Sequence, residues 1–487
     1  MRLLNTDTKE LHEFQGGFTP PYVIFLTYAP GYRKINGCCA LARNNSFEWV
    51  WIDTCCIDKT SSAELSEAIN SMYRWYKEAS VCYVYLADVS LPGDCHAENS
   101  DFRMSQWFTR GWTLQELVAP KLAEFYDVSW SFIDERSQLR HLIQEITGVP
   151  AEFFTGESIC DASVAQRMSW AAGRKTTRVE HMAYCLLGLF DVNIPLLYGE
   201  GKNAFRRLQE EIIRQSNDET IFAWGFSQPY PGNDVETNDI AALAKWPSDF
   251  VDCGRVVPCL AWQPSQTMSF EKIKTGISLE LPFVFVRVDT PGRSGVYGIL
   301  NCRLTENFSD LIAIPFGPAR TTPRNNADFY RIGEDLYMER QRHRPPILIS
   351  EEWLTGSARY KVIVTEDPRL RHKALESQGY EDLASSMSVL TKAAQGLSCF
   401  SWQLDPSLEL INNNHHVVVV RERRGMSSSL SREAFLYYSR MKESSEDEIV
   451  ILSCRYRAST TIHRSSEEAT LEHKNGKEKY YDLVQVF

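Results

Sequence analysis

Residues 47 to 86 contain two strand-like runs separated by an amphipathic helix, and this pattern constrains the fold more than any other feature of the chain. Phe47 to Asp53 (FEWVWID) and Val81 to Leu86 (VCYVYL) are rich in the β-branched and aromatic residues that favour strands. Between them, Ser61 and Glu64 form the pattern of a capping box, and apolar residues follow at helical spacing. These apolar positions are Leu65, Ile69, Met72, Tyr76 and Ala79. The order predicts a βαβ unit with parallel strands and a right-handed crossover.

The predicted sheet continues beyond this unit, since helix-like residues Thr113 to Val118 lead into a short strand at Ala123 to Tyr126. We therefore predict that residues 1–135 form an α/β domain with a mainly parallel sheet flanked by helices. Residues 136–226 change character and are predicted to form a helical extension of that domain. Its helices are expected at Ser137 to Ile146, Val164 to Ala172, Val179 to Leu189 and Asn203 to Gln215.

A segment rich in Pro, Gly, Asn and Asp, from Ser227 to Asp239 (SQPYPGNDVETND), marks the predicted boundary to a third region. Residues 242–487 show short strands separated by turns, which is typical of an antiparallel sandwich or barrel. The expected strands are Ile277 to Val286, Gly295 to Cys302, Leu311 to Pro315, Tyr360 to Val364, His416 to Val420, Glu433 to Tyr438, Ile449 to Leu452 and Tyr480 to Val486. We predict a β-rich C-terminal domain with antiparallel strands.

The charge balance and the apolar runs exclude several classes of protein. The chain has 487 residues with 52 Lys and Arg against 63 Asp and Glu, a net charge of −11 that disfavours binding to nucleic acid. Its longest apolar runs, such as Met182 to Phe190, are too short to span a bilayer. Thirteen cysteines, two adjacent pairs among them, fit reduced thiols better than a disulfide framework. We expect a cytoplasmic protein that binds neither nucleic acid nor membranes.

Familiar enzyme signatures are absent from the sequence, which has no HExxH, no CxxC pair with zinc spacing and no GxSxG. The segment Gly199 to Lys202 (GEGK) lacks the spacing and the following Ser or Thr of a phosphate loop, so we interpret it as a turn before a helix. The sequence therefore predicts no metal site and no bound cofactor.

Two segments place polar residues where an open parallel sheet binds its ligands, beyond the carboxyl ends of the strands. In Trp51 to Lys59 (WIDTCCIDK), Asp53 and Asp58 either contact a ligand or cap backbone N–H groups. In Arg110 to Leu117 (RGWTLQEL), a turn opens a short helix that carries Glu116, and most glutamates in such a position are exposed surface residues. These residues alone do not decide between the two interpretations.

Taken together, several long motifs resemble the fungal heterokaryon incompatibility (HET) domain family over nearly all of residues 1–226. The matching stretches are Met1 to Thr6 (MRLLNT), Trp51 to Lys59, Ser61 to Tyr76, Trp107 to Glu116 (WFTRGWTLQE) and Ser163 to Gln215 with its QRMSWA and PLLYGEG segments. One departure is clear, because the SHTWG-like motif and the acidic segment that follow the first strand in the family are missing. Instead, Tyr22 to Ile35 (YVIFLTYAPGYRKI) leads almost directly into the next matching helix.

The resemblance implies a role in fungal non-self recognition, where HET domains act as effectors that trigger incompatibility and programmed cell death. The family is also similar to Toll/interleukin-1 receptor (TIR) domains, which implies a TIR-like, flavodoxin-like parallel sheet over residues 1–135. Some TIR domains hydrolyse NAD with a Glu that follows a Trp in a short helix. The resemblance thus implies that Glu116 is catalytic and that NAD is a substrate, not a cofactor.

Because parallel strands deliver their following loops to one edge, we expect Asp53, Asp58 and Glu116 to converge on one substrate-binding cleft at the carboxyl edge of the sheet. Arg110 and Trp112 are expected at its rim, where they could bind a phosphate or the adenine of a dinucleotide. Two alternatives stay open. One is a non-catalytic signalling module that associates with itself through the HET domain or binds an unknown protein partner through the C-terminal domain. The other is an inactive, degenerate copy, which the missing first motif favours.

Overall fold

The computed structural model describes residues 1–14, 19–27, 32–90, 93–226, 242–264, 269–274, 276–286, 295–317, 330–332, 335–340 and 345–365, and the backbones of six strands between residues 402 and 486. The chain divides into two compact units, one of Met1–Ser227 with Leu243–Pro258 and one of Gln228–Ala242 with Cys259–Phe487. The expected boundary segment, Ser227 to Asp239, lies outside the described residues. Leu243–Pro258 belongs to the first unit, whereas the sequence-based division assigned it to the C-terminal domain.

The first unit is built on a seven-stranded mixed sheet in the order β2-β1-β4-β3-β5-β6-β7. Its strands are β1 Arg2–Asn5, β2 Leu11–Glu13, β3 Tyr22–Leu26, β4 Trp49–Ile52, β5 Val81–Tyr85, β6 Ala123–Tyr126 and β7 Phe132–Glu135. The four strands β4, β3, β5 and β6 run parallel, as predicted. The strands outside them pair antiparallel, so the sheet is mixed, with a parallel centre and antiparallel edges. Connections as short as those between β1 and β2 and between β6 and β7 form hairpins and leave no room for a crossover.

Strand β3 lies between β4 and β5, the two strands of the predicted βαβ unit. In the strand register, Ile24 of β3 is paired with Trp51 of β4 on one side and with Cys82 of β5 on the other. The two predicted strands are therefore parallel but not neighbours. All five residues of β3 are buried, so this strand suits the centre of the sheet. If the parallel strands are numbered by their order in the chain, they lie side by side in the order 2-1-3-4. This is the strand order found in flavodoxin-like sheets.

Ten helices and several 3₁₀ turns cover the first unit in the described residues. The helices are α1 Tyr32–Asn44, α2 Asp53–Cys56, α3 Ser62–Glu78, α4 Asp101–Met104, α5 Thr113–Val118, α6 Arg140–Thr147, α7 Val164–Ser169, α8 His181–Tyr184, α9 Leu187–Phe190 and α10 Asn203–Gln215. The 3₁₀ turns are Gln106–Thr109, Ala151–Phe154, Ile159–Asp161, Glu219–Phe222, Pro247–Phe250 and Cys253–Arg255. The predicted helix from Val179 to Leu189 is thus two short helices. None of the helices in the described ranges is long and apolar enough to cross a membrane.

Helix α3 confirms the local prediction in most respects. Its apolar face is buried at Ile69, Met72 and Tyr76. The Ser61 hydroxyl accepts the backbone N–H of Glu64 at 3.3 Å, which makes it the N-cap. The second half of the expected capping box is absent, because the Glu64 carboxylate instead accepts the backbone N–H of Asp58 and pairs with an arginine at the start of the chain.

The second unit is β-rich, and its described strand pairings are antiparallel except for one. Its strands, numbered on from β8 Val256–Pro258 of the first unit, are β9 Phe270–Ile273, β10 Gly276–Val286, β11 Gly295–Ile299, β12 Cys302–Leu304, β13 Asp310–Gly317, β14 Tyr330–Ile332, β15 Asp335–Arg340, β16 Ile347–Ser350, β17 Ala358–Thr365, β18 Trp402–Leu410, β19 His415–Glu422, β20 Glu433–Lys442, β21 Glu448–Ala458, β22 Leu471–Lys474 and β23 Lys479–Val486. All of them except β12 form an eight-stranded and a six-stranded sheet. The exception is β15, which runs parallel to β17. The prediction of antiparallel strands is otherwise confirmed.

Candidate functional site

The short helix α5 follows a tightly hydrogen-bonded turn. The Thr113 hydroxyl donates to the carbonyl oxygen of Trp107 at 2.6 Å and lies 2.9 Å from that of Arg110, which fixes the start of the helix. Leu114 and Leu117 are fully buried beneath it. Because these two residues anchor one side of the helix, the remaining side chains of α5 are held in defined positions.

Glu116 lies on α5 in surroundings that disfavour its charged form. The side chain is only partly accessible to solvent. Burial raises the pKa of Glu116 most, and the negative charge of Asp53 is the second cause. The pKa increases from its usual 4.5 to about 8. The positive charges of Arg110 and Arg174 and a hydrogen bond with the Tyr76 hydroxyl act in the opposite direction. Glu116 is therefore mostly protonated at neutral pH.

Two of the predicted site residues act electrostatically on Glu116. Asp53 is the first residue of α2, directly after β4, and it forms an exposed ion pair with Lys59 at 3.3 Å. Arg110 lies just before α5, and its guanidinium makes no hydrogen bond or ion pair with any residue that the structure describes. A free cation and a carboxyl group beside an aspartate could together contact an anionic and a cationic part of one ligand.

Asp58 is engaged elsewhere. Its carboxylate accepts the backbone N–H of Thr60 at 2.9 Å and the Thr60 hydroxyl at 2.6 Å. These bonds hold the pKa of Asp58 below its usual value, and the other groups that act on it are Ser61 and Arg2. Among its contacts in the described chain none involves Glu116. The arrangement is that of a turn before helix α3, in agreement with the structural interpretation of this residue.

Trp112 contacts an aromatic group that the sequence analysis did not identify. Its indole N–H donates to Nδ1 of His181 at 3.3 Å, and the two rings meet edge to face with centroids 5.3 Å apart. His181 also packs on Tyr198, whose ring lies 4.8 Å below the guanidinium of Arg178. Burial, and then the charge of Arg178, lower the pKa of His181. The imidazole thus stays neutral over a wider pH range than usual.

The turn from Gly199 to Lys202 does not form a phosphate loop. A carboxylate oxygen of Glu180 accepts the backbone N–H groups of Gly199 at 2.8 Å and Gly201 at 3.1 Å. These amides are therefore occupied by the protein itself, and helix α10 begins directly afterwards at Asn203. The interpretation as a turn before a helix is confirmed.

Two further residues belong to the surroundings of Glu116 and were missed. Tyr76 was recognised only as part of the buried face of α3, and helical spacing does not distinguish a structural tyrosine from one that contacts a carboxyl group. Arg174 follows a glycine in a turn, which carries no signal of burial, yet its exposed fraction is 6%. Within the described ranges, no group of three or more His, Cys, Asp or Glu side chains could hold a metal ion.

Two family profiles and one known protein match parts of the chain. A family profile described as "Heterokaryon incompatibility protein (HET)" matches residues 32–99, and a profile described as "Domain of unknown function (DUF8212)" matches residues 203–281. The chain is 44% identical over 241 residues to "Vegetative incompatibility protein HET-E-1" of Podospora anserina, an alignment that covers 44% of this chain and 18% of that protein. The chain therefore spans less than a fifth of that relative. No solved structure matches the chain significantly. The profile match and this identity show that the first unit is similar to heterokaryon incompatibility (HET) proteins.

Proposed function

We propose that this chain is a cytoplasmic effector of fungal non-self recognition that promotes programmed cell death, and that its first unit does so by hydrolysing NAD. The match of residues 32–99 to the HET profile and the identity to a vegetative incompatibility protein support the role in incompatibility. The chemistry is proposed from the residues around Glu116.

A TIR-like fold of the sheet forms part of this proposal. The central strands β4, β3, β5 and β6 are parallel in the order of a flavodoxin-like sheet, which is compatible with it. In such a sheet, loops that follow the carboxyl ends of neighbouring strands lie at one edge. Asp53, the first residue of α2, directly follows β4 and so lies at this edge.

The observation that carries the proposed reaction is the partly buried Glu116 carboxyl beside Asp53 and two arginines, with its pKa raised to about 8. NAD carries a positive charge on its nicotinamide ring, and a cation that enters this site would favour the ionised carboxylate. The carboxylate would then stabilise the oxocarbenium-like charge that develops on the ribose as the glycosidic bond breaks.

In this reaction the electrons of the broken C–N bond pass to the nicotinamide, which leaves as a neutral molecule. Water adds to the ribose carbon and releases one proton, so the products are nicotinamide, ADP-ribose and a proton. The guanidinium of Arg110 is suited to bind the diphosphate, because it is free of other polar contacts in the described chain. Trp112, edge-to-face with His181, offers an aromatic ring beside the adenine.

The test is release of nicotinamide from NAD by the purified full chain. We expect Glu116→Gln and Glu116→Ala to abolish the activity while the protein stays folded. Glu124→Gln is a matched control, because Glu124 is also a partly buried glutamate that bonds to a tyrosine hydroxyl, at 2.6 Å from Tyr126. NAD cleavage by Glu116→Gln at the wild-type rate would remove Glu116 from the mechanism.

A non-catalytic signalling module is the second candidate, and the engagement of Asp58 and Trp112 in internal contacts favours it. Such a module would act through self-association of the HET domain or through an unknown protein partner of the C-terminal domain. Expression in a fungal host distinguishes these cases. Cell death that survives Glu116→Gln indicates signalling without catalysis, and absence of both cell death and NAD cleavage in the unchanged chain indicates a degenerate copy.

A further inference from the structure

Two buried arginines donate hydrogen bonds to the two ends of helix α5. At its amino end, Nη1 of Arg174 donates to the carbonyl oxygen of Arg110 at 2.9 Å and to Oγ1 of Thr113 at 3.0 Å. At its carboxyl end, Arg136 donates to the carbonyl oxygen of Leu117 at 2.6 Å. The exposed fractions of the two arginines are 6% and 5%. One helix of six residues is thus held by two charges removed from water.

The two arginines differ in the groups near their remaining nitrogens. Nη2 of Arg174 is buried and has no hydrogen-bond partner among the described residues. Arg136 also has a buried nitrogen without a partner, Nε, but the groups that interact with its charge are Cys82 and Tyr73, not a carboxylate. A buried charge with an unfilled donor strongly attracts any carboxylate that can approach it.

Glu116 is placed to be that carboxylate. Thr113 and Glu116 are three residues apart in one helix and so share a face, and Arg174 is bonded to the Thr113 side chain on that face. The charges of Arg174 and Glu116 also interact, since each shifts the pKa of the other toward its charged form. No corresponding interaction links Arg136 to Glu116 in the described chain.

The other titratable groups around Glu116 do not provide such a partner. These groups are Asp53 in α2, Tyr76 in α3, Cys82 in β5 and Arg110 before α5. Burial raises the pKa values of Tyr76 and Cys82, so both are neutral, and Asp53 repels a carboxylate. Arg110 is cationic but less deeply buried than Arg174. Only Arg174, in this set, combines deep burial with an unfilled donor.

We propose that Arg174 is a positioning residue for Glu116, and that its Nη2 becomes the ion-pair partner of the Glu116 carboxylate once that group has released its proton to water. The Tyr76 hydroxyl donates a hydrogen bond that favours the same anion, and Arg174 adds the positive charge that holds the anion in one orientation. The consequence for catalysis rests on the proposed NAD reaction, in which the cationic substrate favours the anion. The pairing itself requires no substrate.

Ionisation of Glu116 can be followed by infrared difference spectroscopy of the full chain, because protonated and ionised carboxyl groups absorb separately and Glu116→Gln identifies the band. Arg174→Met removes the charge but keeps a long side chain. We expect it to raise the midpoint of the Glu116 titration by more than about one pH unit, a tenfold change in the ionisation constant. Arg136→Met is the matched control, since it removes an equally buried arginine from the other end of α5, and it should leave the midpoint in place.

An unchanged midpoint in Arg174→Met, or equal shifts in both variants, would overturn the proposal. If Arg174→Met does not fold, Arg174→Lys is measured instead. Lysine keeps the positive charge, but its single nitrogen must serve the Arg110 carbonyl, the Thr113 hydroxyl and the Glu116 carboxylate. A smaller upward shift is then expected, and no shift would contradict the pairing.

The titration also separates this inference from the proposed function. A chain that shows the Arg174-dependent midpoint but does not cleave NAD would refute the reaction and leave the pairing intact. If the chain cleaves NAD and Arg174→Lys keeps the wild-type kcat and pH profile, Arg174 has no positioning role in the reaction.

Discussion

Trp112 and His181 are 69 positions apart in the chain and are joined by a hydrogen bond of 3.3 Å from the indole N–H to Nδ1 of the imidazole. The bond ties the start of α5 to α8. It requires a neutral imidazole, because protonation would place a hydrogen on the nitrogen that accepts it.

Trp112→Phe should lower the free energy of unfolding by about 1 kcal/mol at pH 8, the typical net value of one hydrogen bond. The folded-state pKa of His181 is lowered, so this stabilisation is present above the usual pKa of 6.5 and is lost as the pH falls through the folded value. Denaturant unfolding should show a smaller difference in the free energy of unfolding between wild type and variant at pH 5 than at pH 8. An equal difference at both pH values would contradict this account.

Glu116 should make the first unit less stable as the pH rises. Its folded-state pKa of about 8 exceeds the usual 4.5, so its stabilising effect is fully present below pH 4.5 and is lost as the pH rises to 8. The shift corresponds to at most about 5 kcal/mol. Thermal unfolding of wild type and Glu116→Gln across this range should show a weaker pH dependence in the variant. Parallel curves for the two proteins would show that Glu116 titrates normally.

If the chain cleaves NAD, the rate should increase with pH through about 8, because the ionised form of Glu116 is the one that stabilises positive charge on the ribose. Asp53→Asn removes the neighbouring negative charge, so it should lower the pKa of Glu116 and shift the rate profile to lower pH. The measurement is nicotinamide release as a function of pH. A profile that falls with pH near 8 would instead assign Glu116 the role of an acid.

Gly188 allows α9 to approach α3 closely, since a Cβ atom at this position would overlap the side chain of Tyr73. Gly188→Ala should destabilise the first unit by about 1–3 kcal/mol, as overpacking of a core does. Gly173 is the control, because a Cβ there would meet no atom within 4 Å. Thermal unfolding should therefore distinguish the two alanine variants, and equal melting temperatures would show that the two helices can move apart at little cost.

The local elements followed from the order of residues along the chain. Helical spacing and the Ser61 cap predicted α3, and β-branched and aromatic runs predicted β5 and β6 within a residue of their ends. The same signals located several strands of the second unit, including β10 and β23. These elements could be predicted because their determinants, such as periodicity, caps and turn residues, lie within about fifteen neighbouring positions.

The arrangement of those elements was decided by tertiary structure. No local pattern places β3 between β4 and β5, because strand order depends on which buried faces pack together. The surroundings of Glu116 depend on Arg174, 64 positions from the Arg110 carbonyl that it binds, and on Tyr76 from another helix. The sequence alone determined that a carboxyl group follows a tryptophan on a short helix. Only the folded chain decided that this group is partly buried and flanked by opposing charges, since a pKa is set by neighbours in space.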